Sequence, residues 1–132
     1  KISGILLETT PPPRAIILGM GVNVRWRPEE ALYPTISLLE LGLADTDPGA
    51  LLESFAPRFL AWYEIWRDEG FSAVRQAWLS RAVGLGESIV VRLDKETLTG
   101  RFAALDESGA LVLELPEGRR LISAGDVFFP GN

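Results

Sequence analysis

Apolar residues first come in two dense runs, then in stripes at helical spacing, and last in short alternating runs, which divides the chain into three stretches. Residues 2 to 8 and 15 to 24 are rich in Ile, Leu and Val and are separated by Thr9-Thr10-Pro11-Pro12-Pro13-Arg14. Three successive prolines cannot donate to a ladder, so the segment predicts strand, turn and strand. Both runs are apolar at successive positions, the pattern of strands inside a covered sheet. The first strand is already under way at Lys1-Ile2, which predicts that its domain begins upstream of this residue.

Residues 25 to 36 mix charge, proline and aromatics without a period and predict a loop; loops of that length often carry function. Ser37 can cap a short helix through Leu41, ended by Gly42. From Asp47 to Asp68, Leu52, Phe55, Phe59, Trp62, Tyr63 and Trp66 fall on one face at three-and-four spacing, with Gly70 closing the helix. A second helix puts Phe71, Val74, Trp78 and Ala82 on one face. Helical stripes of this kind are expected to be core packing.

After Gly84-Leu85-Gly86 the period changes to two. Ile89, Val91 and Leu93 alternate with polar partners, and Leu98, Phe102 and Ala104 follow. Asp106-Glu107-Ser108-Gly109 then forms a hairpin turn, with Leu111, Leu113 and Leu115 beyond it. Pro116-Glu117-Gly118 turns into Leu121-Ile122-Ser123 and Val127-Phe128-Phe129. Short strands so closely spaced predict a small SH3-like β-barrel. The fold class is α+β. The change of period sets a domain boundary near Ala82 to Gly86, dividing the chain into residues 1–83 and 84–132.

With 132 residues, 47% of them hydrophobic, the chain can form one modest core or two small ones. Its net charge of −5 disfavours nucleic acid as a partner, since that affinity rests on Lys and Arg displacing counterions. Cysteine and histidine are both absent from the sequence. That removes disulfides, thiol nucleophiles, most zinc geometries and every Ser-His or Cys-His arrangement. Chemistry is left to Lys, Arg, Asn, carboxylates, backbone amides or a hard cation. No apolar run reaches the roughly 20 residues that span a bilayer, and no signal-peptide pattern opens the chain. A cytoplasmic protein, without a membrane partner, is expected.

Two stretches stand out: Lys1-Ile2-Ser3-Gly4-Ile5-Leu6-Leu7-Glu8 and Ile17-Leu18-Gly19-Met20-Gly21-Val22-Asn23-Val24. Gly19 and Gly21 weaken a strand that is otherwise strong, which is usual where a backbone bends or something approaches closely. A ligand against that backbone accounts for both glycines and would let Asn23 offer its amide to a phosphate or ribose oxygen. A β-bulge with a satisfied asparagine accounts for them equally. Lys1 alone reads as a solvated lysine.

In this order the two motifs resemble the second half of the catalytic domain of biotin protein ligases. Tyr33-Pro34-Thr35-Ile36-Ser37-Leu38, the Trp-rich helix, Gly70-Phe71 with Trp78-Leu79, Gly100-Arg101-Phe102 and Ala124-Gly125-Asp126-Val127 extend the likeness over essentially the whole chain. The resemblance implies the second half of a lipoate/biotin-ligase-like mixed β-sheet domain followed by the SH3-like module. It also implies a two-step reaction. Biotin attacks the α-phosphorus of ATP, whose cation is Mg2+, to give biotinyl-adenylate, and a lysine of a biotin carboxyl carrier domain then takes the biotinyl group. Lys1 matches the family's catalytic lysine, which neutralises carboxylate and α-phosphate. Gly4, Ile5, Leu6, Gly19 and Met20 match the biotin-binding positions. Val22 and Asn23 match the nucleotide-binding ones, with Trp26 or Tyr33 offered as a stacking partner for adenine. The loop from Arg25 to Ile36 matches the segment that closes over the adenylate, and a homodimer is compatible with the family.

The family's Gly/Arg-rich loop and the strands that begin the biotin pocket precede these motifs and are not in the sequence, nor is the amino-terminal DNA-binding helix-turn-helix of some members. Phe128-Phe129-Pro130 stands where some relatives carry a nucleotide-contacting arginine, so no catalytic role passes to the terminal module. No protein metal ligands are assigned. A non-catalytic binding or assembly module and a lipoate-type ligase are the alternatives.

Overall fold

A computed structural model describes residues 1–12, 14–31 and 33–129. The chain forms two compact units, Lys1–Pro57 and Arg58–Asn132. Pro130 of the terminal Phe-Phe-Pro segment and Pro13 of the proline turn lie outside the described residues.

In the first unit, β1 (Ser3–Thr9) and β2 (Ile16–Val22) form an antiparallel two-stranded ribbon. Its register runs from Ser3 opposite Val22 to Thr9 opposite Ile16. Thr10 closes the proline turn, its amide donating to the Ala15 carbonyl and its hydroxyl accepting from the Ala15 amide, both at 3.0 Å. The strands are where the apolar runs predict them, but the expected covering is missing. Ile5, Leu7 and Ile16 are 67%, 62% and 66% exposed. A ladder buries apolar side chains only where a second layer lies on it, and among the described residues of this unit no helix or further strand packs on either face.

Residues 25–31 and 33–36 are irregular, as expected, while Leu32 of that loop lies outside the described residues. The short helix expected after Ser37 is a single hydrogen-bonded turn over residues 38–42, stopped at Gly42 with φ 84°. Asp47 then caps α1 (Pro48–Glu69), accepting from the Ala50 amide at 2.9 Å, with Pro48 in the first helical position where its missing N–H costs nothing. The helix ends where its sequence predicts, at Gly70 with φ 79°.

The aromatic stripe of α1 departs from expectation, for no residue of the helix is buried. Trp62, Tyr63 and Trp66 are 41%, 45% and 47% exposed. Spacing fixes which side chains share a face; burial needs an opposing surface, and the described residues provide none.

In the second unit, α2 (Phe71–Leu79) precedes β3 (Ser88–Arg92), β4 (Thr97–Leu105), β5 (Leu111–Leu115), β6 (Gly118–Ile122) and β7 (Asp126–Phe128). All pairings are antiparallel, in the order β6-β5-β4-β3-β7. The alternation read from the sequence is realised here, since Ile89, Val91, Phe102, Leu113 and Ile122 form the buried core. Leu79 and Ala82 pack against that core, and the Trp78 ring lies 6.2 Å from that of Phe102. Arg75 donates from Nε and Nη2 to the Leu105 carbonyl at 2.8 and 2.6 Å. The strands expected to form an SH3-like β-barrel make one five-stranded antiparallel sheet. β6 and β7 are its outer strands, no ladder joins them among the described residues, and all three residues of β7 are paired with β3.

Candidate functional site

Lys1, Ser3, Gly4, Gly21, Val22 and Asn23 from the ribbon and Pro28, Ala31, Tyr33 and Thr35 from the following loop line a cleft of about 340 Å³. The ribbon supplies its floor. Directly opposite residues of an antiparallel pair share a face and the face alternates at each rung, so Gly4 with Gly21 and Leu6 with Gly19 lie on one side. Ile5 with Met20 lies on the other.

On the first side three glycines expose bare backbone. A Cβ on Gly21 would meet nothing within 4 Å, and one on Gly19 only the Leu6 carbonyl at 3.9 Å. None of these glycines has a positive φ, and internal packing does not require them. The Lys1 side chain lies on this same face, its Nζ 3.8 Å from the place a Cβ on Gly4 would occupy. Among the described residues no carboxylate pairs with this ammonium, and it lies 5.4 Å from the Tyr33 ring centre.

Asn23 ties the start of the ribbon to the end of the loop. Its backbone amide donates to Ile2 at 2.9 Å. Its side-chain nitrogen donates to the carbonyls of Lys1 and Ile36 at 3.3 and 3.1 Å. The Ile36 amide returns a bond to the Lys1 carbonyl at 3.2 Å, and the Lys1 nitrogen donates to Pro34. With both amide hydrogens engaged, only the Asn23 oxygen is left to offer a ligand.

The base of the loop is fastened by Ser37 and Glu40. The Glu40 amide donates to the Ser37 hydroxyl at 3.2 Å, while the Glu40 carboxylate accepts from the Ser37 amide at 2.9 Å and its hydroxyl at 2.8 Å. This is the reciprocal capping box. Arg27 adds a bond from Nε to Glu40 at 2.8 Å. The Arg27 guanidinium first, and then the Ser37 hydroxyl and amide, hold the Glu40 carboxyl down to about 2. Arg27 is raised by the same partner. Thr35 donates to the Pro28 carbonyl at 2.7 Å, closing the loop on itself.

Of the residues singled out from the sequence, Lys1, Gly4, Val22 and Asn23 meet in the cleft. Ile5, Leu6, Gly19 and Met20 continue along the ribbon on alternate faces, so these biotin-pocket positions do not share one surface. Trp26 stands 87% exposed and outside the lining. The Ser37-Glu40 box and its arginine were missed, although Ser-x-x-Glu is a legible signature. Gly21 was read from the sequence as backbone that a ligand could approach, with a β-bulge as the alternative, but was not named among the binding positions; here it lines the cleft. Among the described residues no three acidic side chains converge as a metal site, and no helix is long and apolar enough to cross a membrane.

Residues 7–80 match the biotin/lipoate A/B protein ligase family, more than half of the chain. The chain belongs to that family. As a biotin/lipoate ligase family chain it continues, over residues 84–129, into a match to the biotin protein ligase C terminal domain. It is 40% identical to a biotin–[acetyl-CoA-carboxylase] ligase of Paracoccus denitrificans, covering 99% of this chain and 58% of the relative. It is 28% identical to the bifunctional ligase/repressor BirA of Bacillus subtilis, over 96% of this chain and 41% of that one. Among solved structures, the biotin protein ligase of Aquifex aeolicus in complex with biotin and ATP superposes with a TM-score of 0.81 at 26% identity, over 96% of this chain and 54% of that one. The chain thus spans about half the length of the relatives it matches.

Proposed function

We propose that this chain is the carboxy-terminal part of a biotin–protein ligase, contributing the cation and one wall of the adenylation site. Biotin's carboxylate attacks the α-phosphorus of ATP, releasing pyrophosphate and forming biotinyl-adenylate. A lysine amine of a biotin carboxyl carrier domain then attacks the mixed anhydride and releases AMP. The observation that carries the reading is the Lys1 ammonium on the glycine face of the ribbon, with no carboxylate partner among the described residues. Two anions must meet for the first step, and a mobile point charge against a low-relief backbone floor is what lowers that repulsion.

In this reading Gly4, Ile5, Leu6, Gly19 and Met20 are the ribbon's biotin-binding positions, and Val22 and Asn23, which line the cleft with Lys1, meet the nucleotide. Magnesium enters with ATP as the triphosphate's cation. The loop from Arg25 to Ile36 closes over the adenylate and keeps water from a hydrolysable intermediate. The division into residues 1–83 and 84–132 is supported by family matches that break between residues 80 and 84. A strand order in which β7 returns beside β3 supports an SH3-like module. The reaction is a cytoplasmic one.

Lys1→Ala in the full-length protein is expected to abolish biotin-dependent pyrophosphate release, and undiminished release overturns the assignment. A lipoate-type ligase is the second reading. The match to a biotin ligase C terminal domain favours biotin, and adenylate assays with both acids separate the two.

A further inference from the structure

The loop that follows the ribbon holds both ends of Lys1. Its backbone is fixed by Pro34, Ile36 and Asn23, but these bonds leave the four-carbon stem free to choose among rotamers. The group that meets the ammonium is the half-buried Tyr33, whose ring centre is 5.4 Å from Nζ. That is within the range in which an aromatic face attracts a cation. Gly4 is also close to the ammonium, a Cβ on it standing 3.8 Å from Nζ.

We propose that Tyr33 is a positioning residue for Lys1: its ring face holds the ammonium over the glycine face of the ribbon, so the place of the loop tip sets where the cation stands. This rests on the adenylation reading above and adds a residue that acts through Lys1. The fastened base, with Arg27 and Ser37 on Glu40 and Thr35 on Pro28, leaves the segment carrying Tyr33 as the part of the loop able to convey that placement.

The test uses Tyr33→Leu and Tyr33→Phe in the full-length protein. A cation–ring contact at an exposed site corresponds to about a 2- to 5-fold preference. Tyr33→Leu should therefore lower kcat for biotin-dependent pyrophosphate release by about 2- to 5-fold, with KM for biotin and ATP essentially unchanged. Tyr33→Phe, which keeps the ring, should recover the rate. A second readout needs no turnover. Lys1 and Lys95 are the two lysines of the chain, so acetylation by acetic anhydride can be read by mass spectrometry as a ratio. Tyr33→Leu should raise labelling of Lys1 over Lys95 by about 2- to 5-fold, and Tyr33→Phe should not. The proposal is overturned by a Phe variant as impaired as the Leu variant, by a loss confined to KM, or by a labelling ratio that does not respond. Absence of biotin-dependent pyrophosphate release from the wild-type protein overturns the adenylation reading instead, whatever the labelling ratio does.

Discussion

Replacing Gly21 by alanine separates a glycine kept for a ligand from one kept for the fold. An alanine Cβ at this position meets nothing within 4 Å, and the backbone has no positive φ to strain it. Its effect on folding should come from the unfolded chain, whose freedom it reduces, and should be a gain of about 0.4–1 kcal/mol. Gly100 is the internal control. There a Cβ would stand 2.6 Å from the Glu114 carbonyl oxygen and 2.9 Å from side-chain carbons of Leu113 and Leu115. Backbone cannot retreat cheaply, so Gly100→Ala should cost about 1–3 kcal/mol as overpacking. Ligand binding should show the opposite order. A methyl group on the cleft floor takes space that a ligand lying against the backbone needs, at a cost of the same order, about 1–3 kcal/mol or roughly 5- to 150-fold in Kd. Thermal unfolding and biotin titration calorimetry on the full-length variants measure both quantities. Equal destabilisation by the two alanines, or unchanged biotin affinity for Gly21→Ala, would refute the reasoning that the floor is kept bare for a ligand.

Ser37→Ala removes one half of the capping box and should cost about 0.5–2 kcal/mol in urea unfolding, with increased amide exchange at Ser37 and Glu40. Leu113→Ala, at a fully buried position, should cost about 2–5 kcal/mol by the same measurement; a cost below 1 kcal/mol would count against the core as described. Glu40 is held at about 2, and Glu96, Asp106 and Glu114 are also lowered, chiefly by Arg120, Ser108 and Arg101 respectively. Folded carboxyls that release protons more readily than unfolded ones add stability above the ordinary carboxylate range. That contribution declines as pH falls from about 4.5 towards the folded values. Urea midpoints measured between pH 6 and pH 2 should fall accordingly, and Arg27→Gln should shift the Glu40 part of the decline to higher pH.

The terminal strands and both helices were legible because each repeats a simple period: Ile89 and Val91 at two, Phe59, Trp62, Tyr63 and Trp66 at three and four. The inward side chains of the sheet are buried as that period requires. For α1 the same kind of signal identified a face but could not say what meets it, because periodicity carries no information about a partner surface. The ribbon shows the same limit, its apolar runs predicting cover that the described residues do not supply. Within the cleft, Lys1, Gly4 and Asn23 were findable from their motifs. Tyr33 was offered there only as one of two stacking partners for adenine, and Pro28 and Ala31 not at all, since an aperiodic loop reaches the cleft through specific hydrogen bonds at Thr35, Ile36 and Glu40 that no local pattern announces.

The pleat of the ribbon makes it a partition with independent sides. Gly4, Gly19 and Gly21 face one way and Ile5, Met20, Leu7 and Leu18 the other, so neighbouring positions answer to different demands. Ile5, Leu7, Leu18 and Met20 are not part of the cleft lining, so these four can be exchanged for others of similar volume without touching it. Relief on the glycine side can be altered without disturbing whatever the aliphatic side rests against. A change of acid substrate could therefore be sought by adding single methyl groups at Gly4, Gly19 or Gly21, three graded steps along one wall, with the ladder that carries them left intact.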